Sequence, residues 1–244
     1  MDDNSDRKRY PVVTWILIAV NILVFIFLQG FGSDENFTFA FSTVPEEIIT
    51  GKDVVSDGQR IVEDPVSGTT FMLPELQKTP VSVYLTLITS MFMHGGFAHL
   101  FGNMLYLFIF GDNVEDRIGH LRFFLFYLLC GIAAALAHVF VSYFLKMNLL
   151  IPTLGASGAI SAVLAGYVIL FPKRRVHAIV FRILLPIPAI VVIGIWFIFQ
   201  LISGIGLLGS GSQAGGVAYA AHIGGFTAGL ILIKLFDRRE HRQS

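Results

Sequence analysis

Charged residues are scarce in this sequence. Asp, Glu, Lys and Arg together make up 14% of its 244 residues, whereas a soluble domain carries about a quarter. The formal net charge is zero, which argues against a nucleic acid as partner, because binding to a phosphate backbone depends on an excess of Lys and Arg. Cysteine occurs once, as Cys130, so the chain can build neither an internal disulfide framework nor a thiolate metal cluster.

Long apolar runs take the place of the missing charge, and 55% of the residues are hydrophobic. A helix needs about 20 apolar residues to cross a bilayer. Helices are the default there, because backbone polar groups in lipid must be satisfied within their own segment. We therefore predict an all-α polytopic membrane protein with six transmembrane helices. The predicted spans cover about 12–31, 97–111, 121–145, 157–172, 178–205 and 216–236.

The lysines and arginines indicate how these spans are oriented. Most of them flank the span ends that share a side with the N-terminus, so the positive-inside rule places both termini in the cytoplasm. The chain then divides into a cytoplasmic N-terminal segment 1–11, a membrane domain 12–237 and a cytoplasmic tail 238–244. The long connection 32–80 lies outside, and the segment 206–216, rich in Gly and Ser, is predicted to be a mobile outer loop.

Four polar residues are predicted to lie inside the membrane, where such residues are costly and are candidates for function. They are His99, Asn103, Ser157 and His222. The charged residues that follow each span allow a depth estimate at 1.5 Å per helical residue. Ser157, His99 and His222 then lie roughly 24, 20 and 18 Å above the inner boundary. Three spans therefore bring polar groups to a similar depth, nearer the outer face.

Ser157 and His222 could form a nucleophile–base pair. Gly158 follows the serine, and Gly225 and Gly229 follow the histidine in a GxxxG pattern, which lets two helices approach closely in lipid. A serine hydroxyl is a weak nucleophile until a base such as neutral imidazole accepts its proton. No Asp or Glu lies at that depth in any span, so an enzyme built on this pair would use a dyad rather than a triad.

His99 and Asn103 are four residues apart and therefore share one face of the second span. Both can donate hydrogen bonds, and together with the backbone N–H of Ser157 they could stabilise a tetrahedral oxyanion. A nucleophile, a base and an oxyanion site are the parts that acyl transfer requires.

Each of these residues also has a structural interpretation. A serine among small residues is usually a packing residue, and an intramembrane asparagine usually joins helices by hydrogen bonds. His94 and His99 could suggest a metal, but the sequence has no HExxH motif and no carboxylate at that depth. The segment GASGA also departs from the G-x-S-x-G nucleophile elbow, since Ala159 replaces the last glycine. The combination of these residues at one depth favours a functional site.

At these residues the chain resembles the rhomboid family of intramembrane serine proteases. The resemblance runs from about Leu85 to Asp237, with motif order and spacing kept. It rests on His94–Met104 (HGGFAHLFGNM), Asn113–Gly119 (NVEDRIG), Gly155–Gly158 (GASG), and Ala221–Gly225 (AHIGG) with Gly229.

The resemblance implies a six-helix rhomboid-like bundle that cleaves transmembrane segments of membrane proteins near the outer face, beside a small residue. It implies Ser157 as nucleophile, His222 as general base, and His99 and Asn103 as oxyanion donors. The supporting residues it suggests are His94, Gly155, Gly158, Gly225 and Gly229. No cofactor or metal is implied, the bilayer and transmembrane substrates are the expected partners, and the oligomeric state is not indicated.

One position departs from the family pattern. Many relatives carry an aromatic residue four positions after the serine, against which the histidine ring packs, and here that position is Ser161. We expect Tyr219 or an aromatic residue of another span to take this role. The alternative function is a catalytically silent relative that binds or escorts transmembrane clients, which the intact Ser157 and His222 disfavour. The short N-terminus without a transit-like composition predicts a prokaryotic plasma membrane.

Overall fold

The computed structural model describes residues 9–63, 70–180, 183–210 and 219–237, and over these residues the protein is predominantly helical. The α-helices are α1 (Val12–Leu23), α2 (Glu35–Ala40), α3 (Pro45–Thr50), α4 (Thr86–Thr89), α5 (Phe97–Tyr106), α6 (Asp112–Ile118), α7 (His120–Phe144), α8 (Ser157–Leu170), α9 (Ala189–Ser210) and α10 (Tyr219–Phe236). Single π-helical turns extend α1 over Val24–Leu28 and α5 over Leu107–Gly111.

Two of the described helices, α7 and α10, are long and apolar enough to cross a bilayer by length and composition alone. The remaining apolar helical stretches are shorter. They are Val12–Leu28, Val83–Phe92, Ser157–Leu170 and Ala189–Gly204. Helices therefore lie at all six predicted spans, and the fold is that of a helical membrane protein.

The centre of the bundle is α8, in which every residue from 158 to 167 is buried. A helix that is apolar on all sides is expected to be enclosed by other helices, and α7, α9 and α10 contact it. Its contact with α10 is close because Gly225 and Gly229 lie in the interface. A Cβ atom at Gly225 would lie 2.0 Å from the carbonyl oxygen of Gly158, and one at Gly229 would lie 2.5 Å from that of Ala162.

Segment 32–80 supports the chain that leads into α8. It contains α2, α3 and the antiparallel hairpin β1 (Arg60–Glu63) and β2 (Thr70–Leu73). Thr43 and Thr153 exchange two backbone hydrogen bonds of 3.0 and 2.8 Å. The backbone N–H of Gly155 donates to the carbonyl of Ser90 at 2.8 Å. The residues just before Ser157 are thus held from two directions.

At the opposite end of the bundle, charged side chains join the helices. Glu115 accepts hydrogen bonds from the backbone N–H groups of Val13 and Thr14, at 2.8 and 2.7 Å. These are donors at the first turn of α1 that lack a partner within the helix. Arg117 forms a bidentate pair with Asp237, with N–O distances of 3.0 and 2.7 Å. These contacts fix α1 and the end of α10 to α6.

Two sequence predictions are wrong in this region of the chain. The fifth predicted span begins at Ala189 rather than at 178, because residues 175–188 form an antiparallel hairpin, β3 (Arg175–Val180) and β4 (Ile183–Pro188). Pro186 and Pro188 explain the difference, since proline lacks the N–H that a helix interior needs and is tolerated on an edge strand. The predicted loop 206–216 is also wrong in part: 206–210 belongs to α9, and 211–216 falls outside the described residues.

Candidate active site

Ser157 and His222 lie within hydrogen-bonding distance of each other. Ser157 is the first residue of α8 and His222 lies in the first turn of α10. The distance from Ser157 Oγ to His222 Nε2 is 2.7 Å. The close approach of the two helices at their glycines makes this distance possible, so Gly225 and Gly229 contribute through packing.

The other ring nitrogen of His222 contacts Gln200, a residue of α9 that the sequence analysis did not identify. The distance from His222 Nδ1 to Gln200 Oε1 is 2.6 Å. An amide oxygen can only accept a hydrogen bond, so Nδ1 carries the proton. Nε2 is then unprotonated and can accept the proton of Ser157. A glutamine inside the apolar run of α9, four residues after Trp196, is the sequence signal that could have revealed it.

An aromatic ring from α9 packs beside His222. The centroid of Trp196 lies 6.0 Å from that of His222, with the two planes tilted by 35°. The aromatic ring beside His222 is thus that of Trp196 on another helix, and that it replaces the ring missing at Ser161 stays a prediction. Ser161 instead donates its hydroxyl proton to the carbonyl oxygen of Ser157 at 2.6 Å.

His99 and Asn103 converge on the backbone that precedes Ser157. His99 Nδ1 accepts a hydrogen bond from the N–H of Gly95 at 3.4 Å, which leaves the proton on Nε2. A Cβ atom at Gly155 would lie 2.8 Å from His99 Nε2 and 3.8 Å from Asn103 Nδ2. Asn103 Nδ2 also donates to the carbonyl of His99 at 3.1 Å. Both donors therefore lie close to the chain two residues before the hydroxyl.

His94 is fully buried and has a packing role in this arrangement. Its ring meets that of His99 edge to face, with centroids 5.1 Å apart. Its backbone N–H and C=O are both bound by the side chain of Gln29, at 3.0 Å each. Gln29, which the sequence analysis also missed, thereby fixes the chain that leads into α5.

A small cavity opens beside Ser157. Its walls come mainly from residues with little or no side chain, including Gly131, Ala134, Gly158 and Ala221. Gly158 is required for the fit, since a Cβ there would lie 2.7 Å from that of Ala134. The site thus combines a hydroxyl bonded to an imidazole, two hydrogen-bond donors and a narrow recess.

Comparison with known proteins agrees with the sequence resemblance. Residues 82–239 match the Rhomboid domain family. Rhomboid protein 1, mitochondrial, of Saccharomyces cerevisiae is 33% identical over 64% of this chain and 43% of its own length. Presenilin-associated rhomboid-like protein, mitochondrial, of Bos taurus is 31% identical over 52% of this chain and 37% of its own length. RHOMBOID-like protein 4 of Arabidopsis thaliana is 30% identical over 60% of this chain and 32% of its own length.

These relatives correct one prediction. They are eukaryotic proteins, and two of the three are named as mitochondrial, so the predicted prokaryotic plasma membrane is wrong. The chain spans about two fifths or less of the length of the curated relatives that it matches.

Proposed function

Because the chain belongs to the rhomboid family, we propose that it is an intramembrane serine endopeptidase that cleaves transmembrane segments of membrane proteins. The observation that carries this proposal is the 2.7 Å contact between Ser157 Oγ and His222 Nε2. A serine hydroxyl bonded to the unprotonated nitrogen of a neutral imidazole is poised for activation by general-base catalysis.

The reaction proceeds in two halves. Ser157 Oγ attacks the carbonyl carbon of the scissile peptide while its proton passes to His222 Nε2. The tetrahedral intermediate then collapses, the C–N bond breaks, and the proton moves from Nε2 to the leaving amine. In the second half a water molecule attacks the acyl-enzyme ester, Nε2 takes the water proton, and that proton returns to Ser157 Oγ as the ester bond breaks.

The negative charge of each tetrahedral intermediate is stabilised by three donors. These are the Nε2–H of His99, the side-chain amide of Asn103 and the backbone N–H of Ser157. The hydrogen bond from Gly95 to His99 Nδ1 supports this assignment, because it keeps the proton on Nε2, the nitrogen that lies close to Gly155. Donors already in place for the developing charge lower the barrier without reorganisation in the transition state.

The substrate is an extended stretch of a membrane-embedded segment with a small side chain next to the scissile bond. The cavity beside Ser157 supports this proposal, because glycine and alanine walls leave room for a small group only. A segment that stays helical keeps its carbonyls hydrogen-bonded, so cleavage requires local unwinding.

The proposed topology has six spans, with both termini on the side that carries most of the lysines and arginines. Residues 12–237 form the membrane domain, flanked by 1–11 and 238–244, and Ser157 lies nearer the opposite face. By similarity to the relatives named as mitochondrial, the membrane is a mitochondrial one.

A serine-reactive fluorophosphonate tests the proposal. We expect it to label the wild-type protein in membranes but not the Ser157→Ala variant, and His222→Ala should abolish cleavage of a transmembrane substrate. Asn103→Ala should only weaken cleavage, by about 2–4 kcal/mol of barrier for one lost oxyanion donor. If wild type is not labelled, or if labelling survives Ser157→Ala, the protease function fails and a client-binding function takes its place.

A further inference from the structure

Gln200 is a buried polar residue on α9 for which the dyad mechanism has no use. Its residue surface is 5% exposed, and burying an amide is unfavourable unless it is hydrogen-bonded. Its side-chain oxygen accepts a hydrogen bond from His222 Nδ1 at 2.6 Å. The cost of placing a glutamine there is therefore offset by a contact with the base itself.

From this geometry, and resting on the proposed function, we propose that Gln200 is a positioning residue that fixes the tautomer and ring orientation of His222. Three elements then align the base: α10 carries the imidazole, α8 presents Ser157 to Nε2, and α9 presents Gln200 to Nδ1. Without an acceptor at Nδ1, the proton could occupy either ring nitrogen, and Nε2 would be available to Ser157 for only part of the time.

Trp196 restricts the same ring from another direction. It lies one helical turn before Gln200 on α9, so the two side chains share a face, and its ring packs beside His222. Packing limits how the imidazole plane tilts, but it does not distinguish the two nitrogens. Gln200 supplies that distinction, so the two residues have separate roles.

A glutamine acts differently from the carboxylate of a catalytic triad. A carboxylate both orients the imidazole and stabilises the imidazolium that forms when the serine proton is taken. The neutral amide orients without adding charge. Replacing Gln200 by Glu should therefore keep the orientation and favour the protonated ring, whereas Gln200→Met, similar in length, removes the acceptor and keeps most of the packing.

The two variants are expected to differ in kinetics and in pH dependence. For Gln200→Met, kcat should fall by about 10- to 100-fold with KM nearly unchanged, since general-base catalysis contributes about 10²–10⁴-fold. For Gln200→Glu, the acid limb of kcat/KM should move to higher pH, because the ring must lose a proton held by the new charge. For Gln200→Met the acid limb should stay at its wild-type pH. Loss of packing alone would not move this limb upward in one variant only.

The ionisable neighbours of His222 remain the same in all of these variants. They are His99 on α5 and His138 on α7. A difference in the acid limb between Gln200→Met and Gln200→Glu is therefore due to position 200. Ser203→Ala, about one turn further along α9, is the matched control and should leave kcat and the pH profile at wild-type values.

A readout independent of activity separates this proposal from the proposed function. The nitrogen-15 resonances of His222 in detergent-solubilised protein should show one tautomer, protonated at Nδ1, in wild type and a mixture in Gln200→Met. A mixture already present in wild type, unchanged kcat in Gln200→Met, or acid limbs that shift alike in both variants would overturn the role of Gln200. Absence of fluorophosphonate labelling in wild type would overturn the protease function, while the resonances would still decide whether Gln200 orients His222.

Discussion

At the scale of single residues, Gly155 determines the space that is available to His99. Its φ angle of +114° is one that residues with a side chain rarely adopt. A Cβ atom there would also lie 2.8 Å from both Cε1 and Nε2 of His99. Backbone conformation and contact with His99, the proposed oxyanion donor, therefore both require glycine two residues before Ser157.

We expect Gly155→Ala to impair activity more than stability. The strained backbone should lower the free energy of unfolding by about 1–2 kcal/mol, while displacement of His99 should slow fluorophosphonate labelling and cleavage by at least about tenfold. Thermal unfolding and labelling rates of the purified protein would measure both effects.

Gly194→Ala is the matched control for this substitution. Gly194 lies in α9 and has no heavy atom within 4 Å of an added Cβ, so alanine should be neutral or stabilise the helix by up to about 1 kcal/mol. Labelling of Gly155→Ala at the rate of Gly194→Ala would show that the space around His99 is not limiting.

At the scale of secondary-structure elements, the contact between α8 and α10 determines the distance between Ser157 and His222. The two helices touch through backbone at Gly225 and Gly229, where any side chain would separate them. The hydroxyl and the imidazole lie at the N-terminal ends of these same helices. The packing of α8 against α10 therefore determines the geometry of the site.

Gly225→Ala should separate the two helices and disrupt the site. Because the added Cβ would lie 2.0 Å from the carbonyl oxygen of Gly158, we expect destabilisation of about 1–3 kcal/mol from overpacking, together with loss of labelling at Ser157. The control is Thr227→Ala on the exposed face of α10, whose hydroxyl bonds the carbonyl of Ile223 in its own helix. If Gly225→Ala retains wild-type unfolding temperature and labelling, the close contact is not required.

Segment 32–80 contains a buried carboxyl group whose protonation should affect stability. Glu47 in α3 is 1% exposed. Burial, with a smaller contribution from the charge of Asp53, raises its pKa from 4.5 to about 7. Because the pKa is raised in the folded state, protonated Glu47 contributes to the stability of the fold. This contribution is fully present below about pH 4.5 and is lost as pH rises through about 7.

Glu47→Gln should therefore weaken the pH dependence of stability between these limits. At pH 8 the variant should unfold at a higher temperature than wild type, with a free energy of unfolding larger by an amount on the order of 1–3 kcal/mol. At pH 4.5 the two should be similar. Thermal unfolding in detergent at both values measures this, with exposed Glu35→Gln as the control. Equal shifts for the two variants would contradict a specific effect of Glu47.

At the scale of the whole molecule, the proposed six-span topology places segment 32–80 and the connection between α8 and β3 on opposite sides of the membrane. Lys52 and Lys173 are exposed residues of these two regions. The native Cys130 is buried, so it should contribute little background in thiol labelling.

We expect Lys52→Cys and Lys173→Cys to react with a membrane-impermeant maleimide from opposite sides. In sealed vesicles only one of them should be labelled, and both should be labelled after permeabilisation. Unmodified protein is the control for Cys130. Labelling of both cysteines in sealed vesicles would contradict an odd number of spans between the two positions.

Periodicity and composition predicted the helical class, and the positions of α1, α5, α7, α8 and α10 agree closely with the apolar runs. They failed at β3 and β4, where an apolar run looks alike whether it forms a strand or a helix. The prolines at 186 and 188 were the local signal against a helix there. The structural role of segment 32–80 could not be predicted from the sequence either. It depends on the pairing of Thr43 with Thr153, 110 positions further along the chain.

The sequence by itself determined the membrane class, most of the helices and the choice of His99, Asn103, Ser157 and His222 as candidate site residues, because these follow from local hydropathy and from spacing along single helices. The tertiary structure alone decided which groups surround His222. Gln200 and Trp196 lie more than 20 positions from it in the chain, and nothing in a local pattern says which face of α9 meets α10. Packing determines that contact, because small residues at one interface decide which side chains on the neighbouring helices come within hydrogen-bonding distance.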